Sequence, residues 1–142
     1  MRVRSVALLL TSTLIVFGCG VDPNEVVAPR VVPLLEADET TILGQPIVYP
    51  EGTPQVTSVL LTFQPGEETG WHHHEVPLYA YILSGELTVD YGPDGTRTYL
   101  EGDTFIEALG TSHNGMNSGT RPVEILAVFV GAEGAANTVA AG

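Results

Sequence analysis

With 142 residues the chain has room for one domain large enough to bury a real core. Five Lys+Arg against 17 Asp+Glu give a formal charge of -12, and every basic residue is Arg. A surface this acidic repels phosphate backbones and anionic headgroups, which excludes nucleic-acid binding.

The chain opens on Arg2 and Arg4. An apolar run from Val6 to Phe17 follows, interrupted by Thr11, Ser12 and Thr13. A positive start and a short apolar stretch mark residues 1–18 as a secretory signal peptide, too short to span a bilayer. Val16-Phe17-Gly18-Cys19 resembles the bacterial lipobox. That resemblance implies cleavage after Gly18 and lipidation of Cys19. Cys19 is the single cysteine, so no internal disulfide forms. The alternative is an ordinary signal peptide cut just beyond an incidental cysteine. A lipid anchor places the domain on the periplasmic side of a bacterial membrane, which it touches through the lipid only. Gly20 in place of Asp, by resemblance to Gram-negative lipoproteins, points to the outer membrane.

Residues 19–40 carry Pro23, Pro29 and Pro33 and no sustained period, and read as a flexible linker. Residues 41–134 read as one β-rich domain. Strands are expected at Thr41–Tyr49, Val56–Phe63, Leu78–Leu83, Glu86–Tyr91, Thr96–Leu100, Thr104–Glu107 and Val123–Val130. Turn signals such as Pro65-Gly66, Ser84-Gly85 and Glu101-Gly102 separate them. Leu87, Val89 and Tyr91 alternate with Thr88 and Asp90, the pattern of a strand with one buried face. No window shows a helical period, so the class is all-β, a sandwich or barrel. The small-residue stretch from Gly131 is expected to be loose, with residues 135–142 a flexible tail.

The four histidines are His72, His73, His74 and His113. On extended backbone His72 and His74 share one face and His73 takes the other. Two imidazoles alone hold a transition metal weakly. His113 is the one histidine left to complete a third position.

The segment from Gly66 to Gly85, GEETGWHHHEVPLYAYILSG, resembles the first cupin motif, G-x5-H-x-H-x3-E-x6-G. The segment from Gly102, GDTFIEALGTSHNGMN, resembles the second, G-x5-P-x-G-x2-H-x3-N. Gly102, Gly110, His113 and Asn117 fall in register. The resemblance implies a cupin double-stranded β-helix, a small jelly-roll barrel. It also implies a divalent transition metal on His72, His74 and His113, with Fe, Mn, Zn, Ni and Cu as candidates; imidazole suits Zn, Cu, Fe and Ni. Two positions depart from the pattern. Ala108 stands for the proline of the second motif, and Leu78 for the acidic ligand of the first. Three imidazoles with an open position is also the ligand set of some catalytic zinc sites; the alternative is that losing the carboxylate disables metal binding.

Glu75 follows His74 and points away. Glu107 shares a strand face with Phe105, and is the candidate catalytic group: a general base, a support for a ligand, or a distant ligand. The plain alternative is a solvated strand-end glutamate. His73 is expected at the surface and Trp71 beside the barrel mouth. Tyr79 and Tyr81 are expected on the outer face, where a second copy of the chain is a further partner. Asn117 is expected to support its turn through hydrogen bonds.

The cupin resemblance spans enzymes, binding proteins and storage proteins, so it does not choose a function. The reading carried forward is a metal-dependent enzyme of oxygenase or isomerase type on a small molecule. A non-catalytic module that binds or senses a small molecule or metal is the alternative, and a structural barrel without metal is the third.

Overall fold

Nine strands form among the described residues, 28–141, the longer ones from runs rich in β-branched and aromatic residues that end near glycine. The computed structural model orders them as β1 (Pro54–Phe63), β2 (His72–His73), β3 (Leu78–Ser84), β4 (Glu86–Asp90) and β5 (Thr96–Leu100). β6 (Thr104–Ile106), β7 (Asn114–Met116), β8 (Val123–Ala132) and β9 (Val139–Ala140) follow, and Gly92–Asp94 form one 3-10 turn. The signal peptide and Cys19 lie outside the described residues.

All strand pairs are antiparallel. One sheet runs β1-β8-β3-β6, a second runs β5-β4-β7, and β2 pairs with β9. Alternation decides which residues meet inside. Leu78, Ala80 and Ile82 of β3, Ile125, Ala127 and Phe129 of β8, and Leu87 and Val89 of β4 are all buried. Tyr99 and Phe105 stack with ring centroids 3.7 Å apart. Burying a side chain such as Ile82 or Val89 stabilises the fold by about 1.5–3 kcal/mol. The class is all-β, as the strand spacing predicts.

Two stretches differ from the sequence expectation. Thr41–Tyr49 is not a strand; it holds turns and one isolated bridge, Thr40 to Pro46. Gly44 takes φ 78 and its N–H donates to the Thr41 carbonyl, which closes a turn where a strand would continue. Pro46 has no N–H for a ladder. The stretch from Gly131, expected to be loose, continues β8 to Ala132, and Val139 and Ala140 pair with His73 and His72. Composition alone cannot register a pairing partner so far away in the chain.

Two motif residues hold turns. Asn117 is 1% exposed; its Nδ2 donates to the carbonyls of Phe63 and Arg121, and its Oδ1 accepts from the Gly119 N–H. Gly85 has φ 82, and a Cβ there would lie 2.6 Å from the Pro122 carbonyl oxygen and 2.9 Å from the Val123 Cα. Both obstacles are backbone, so nothing yields easily. Gly85→Ala is therefore expected to cost about 2 kcal/mol or more. A urea midpoint equal to that of the parent would contradict this account.

Candidate metal centre

Local pairing brings the histidines together. His72 and His113 face each other as an antiparallel bridge: His72 N–H donates to the His113 carbonyl at 3.0 Å, and His113 N–H returns to the His72 carbonyl at 2.8 Å. Directly opposed residues carry their side chains on one face. His74, two residues on, shares that face and bridges to Leu109. The three ring centroids lie 4.5 to 5.1 Å apart, and one nitrogen of each ring lies within 4.8 Å of the others. His73 stays outside this group.

The remaining ring nitrogens explain the aim. His72 Nδ1 meets the Gly70 carbonyl at 2.8 Å, His113 Nδ1 the Thr111 carbonyl at 2.9 Å, and His74 Nδ1 the Asn137 carbonyl at 2.8 Å. A carbonyl oxygen only accepts, so each Nδ1 carries the proton and each Nε2 keeps a free lone pair. This is how metal-binding imidazoles are held. Tetrahedral ligation at about 2.1 Å places donor atoms about 3.4 Å apart, so the rings need to turn inward by under about 1 Å. The donor set fits a divalent ion.

Charge favours the same outcome. Burial lowers the pKa of all three rings, and drives His74 down to about 4 although the Asn137 carbonyl partly opposes it. Neutral imidazole is the form that ligates.

The rings stand on the wall of a cavity of about 480 Å³. Its other walls are mostly apolar, with Val59, Leu61, Phe63, Leu78 and Phe129 among them, and no Lys or Arg among the described residues lines it. Glu107 enters this cavity, 5% exposed, which rules out the solvated glutamate. Its Oε1 accepts from the Ala108 N–H at 2.7 Å, and its Oε2 lies 3.8 Å from His113 Nε2. Burial raises its pKa above the usual carboxylate range, and the Ala108 N–H partly opposes that. Glu75 is exposed, Trp71 is 44% exposed at the cavity rim, and Tyr79 and Tyr81 are half-buried beside the inward Leu78 and Ala80.

Three supports have no signal in the sequence motifs. Tyr91 and Tyr99 share a buried hydroxyl–hydroxyl hydrogen bond of 3.0 Å. Gln45 clamps the loop before His113: its Oε1 accepts from Leu109 N–H, and its Nε2 donates to the Leu109 carbonyl and Thr111 Oγ1. Residues Asn137–Ala141 fasten the other side, through the Asn137 carbonyl, the β2–β9 pair and an Ala141 N–H bond to the Trp71 carbonyl.

Antiparallel sheets enclosing a cavity, with imidazoles from two segments on its wall, define a small β-barrel with a three-His site that could hold a metal ion. The cupin-domain family profile matches residues 59–129, and the chain belongs to that family. No curated protein matches it significantly. Among solved structures, oxalate decarboxylase from Lactobacillus farciminis is similar, with a TM-score of 0.52 and 20% identity over 60% of this chain and 26% of that one. A DMSP lyase from Ruegeria pomeroyi gives a TM-score of 0.52 and 21% identity over 60% of this chain and 42% of that one. The chain thus spans less than half the length of either, and at these identities the likeness is one of fold.

The lowered pKa values predict a pH dependence of the metal-free protein. The unfolded chain binds more protons than the folded one between the ordinary value of 6.5 and, for His74, about 4. This contribution is whole above 6.5 and is lost as pH falls through the window. Urea midpoints of chelated protein measure it, with His74→Phe expected to show a shallower loss. Equal slopes for parent and variant would sink the idea.

Proposed function

We propose that the domain is a metal-dependent enzyme, of oxygenase or isomerase type, acting on a small molecule. The observation that carries this reading is the opening of three free imidazole lone pairs into an apolar cavity of about 480 Å³. When bound, a divalent ion would supply Lewis acidity at that wall. The chain's own residues do the rest. Burial keeps the rings neutral, and the Gly70, Thr111 and Asn137 carbonyls keep them aimed. The apolar walls take the hydrophobic part of a ligand and exclude water, which strengthens every charge interaction inside. Among the described residues Glu107 is the one carboxylate on the wall.

Elemental analysis beside a His72→Ala, His74→Ala double variant tests the metal. Near-stoichiometric metal in the parent and its loss in the variant is the expected result. Iron, manganese or copper would direct assays to oxygen chemistry, and zinc to hydrolysis or isomerisation. No metal in the parent after refolding with added Fe, Mn, Zn, Ni and Cu would end the metal reading and leave a small-molecule binding module.

Export and anchoring through Cys19 are a second part of the proposal, supported by Val16-Phe17-Gly18-Cys19 after the apolar run. Cells fed labelled palmitate are expected to label the parent and not Cys19→Ser. A parent chain without label contradicts the anchor.

A further inference from the structure

Glu107 stands directly across the sheet from Leu78. β6 pairs with β3 as Ile106 to Tyr79 and Phe105 to Ala80, and the Glu107 N–H donates to the Leu78 carbonyl at 2.9 Å. Opposed residues present their side chains to one face, and both of these line the cavity. A carboxylate at 107 therefore reaches the cavity from the same rung of the sheet as one at 78.

The next residue adapts to it. The Ala108 N–H holds Glu107 Oε1 at 2.7 Å. A proline at 108, as in the second motif, would have no N–H to give. The other oxygen, Oε2, is left facing His113 Nε2 at 3.8 Å. That is too long for a hydrogen bond. It is near the separation of about 3–3.6 Å between two donors that share one ion; Glu107 stands outside the group whose ligand atoms all lie within 4.8 Å of one another, so its carboxylate has to swing toward the other two rings to join them. Burying a carboxylate is costly; Tyr91 and Arg97 offset part of that cost, and among the described residues no Lys or Arg lines this cavity.

We propose that Glu107 is the fourth protein ligand of an ion on His72, His74 and His113, transposed across one strand pair from the position now held by Leu78. This rests on the three-His reading above. The transposed carboxylate removes one unit of positive charge from the site and takes one coordination position. It also makes Leu78, Glu107 and Ala108 one coupled change.

The test is competition between the full chain and a chromophoric chelator for Zn(II) and Co(II), with the visible spectrum of the cobalt form. Glu107→Gln is expected to weaken binding by about 10-fold or more and to change the cobalt bands. Ala108→Pro should move affinity in the same direction by less. The double variant Leu78→Glu, Glu107→Leu should recover most of the loss. Parent-like affinity and spectrum in Glu107→Gln would overturn the proposal, while loss of binding in His113→Ala would leave the three-His reading standing. A parent that binds neither ion removes both. If the double variant does not fold, Glu107→Gln decides alone.

Discussion

The site depends on where three ring protons go. His72 and His113 each give the Nδ1 proton to a carbonyl two residues earlier, Gly70 and Thr111. These are local bonds, set by the turns that deliver each histidine to the sheet. Gly70 takes φ 73, a conformation costly for any residue with a Cβ. His74 differs. Its partner carbonyl, Asn137, is 63 residues away, so its aim depends on tertiary structure. Reverse any of these bonds and the lone pair on that ring turns out of the cavity.

The cavity keeps its polar groups few. Among the described residues no buried side-chain nitrogen or oxygen lacks a partner. Tyr91 and Tyr99 satisfy each other, so two aromatic rings fill the barrel without leaving a bare hydroxyl. The polar side chains that do line the cavity are led by the three rings and Glu107. A low-dielectric wall around such a group magnifies the effect of any charge placed there.

Much of this was legible in the sequence because it is periodic or spaced. The 72/74 alternation with His113 at the second motif picks out the rings that converge, and the shared face with Phe105 sends Glu107 inward. Leu87, Val89 and Tyr91 show their buried face directly. What was not legible is long-range. β2, β7 and β9 hold two or three residues each, too few for a pattern, and exist because a partner strand is there. Gln45 reads as one polar residue in an apolar stretch; its clamp on Leu109 and Thr111 joins segments 64 and 66 residues apart. Thr41–Tyr49 has strand composition, yet Gly44 and Pro46 interrupt the ladder. The Leu78–Glu107 exchange is invisible until the β3–β6 register is known, because register and not residue type makes the two positions equivalent.

The pairing of Val139 and Ala140 with β2 has a practical side. Ala140 sits opposite His72, and the Ala141 N–H bonds the Trp71 carbonyl. An extended residue covers at most about 3.6 Å, so a polyhistidine extension joined after Gly142 begins a few residues from a ligand strand. Its imidazoles would compete for the same ion at high local concentration. Such an extension belongs at the other end of the domain.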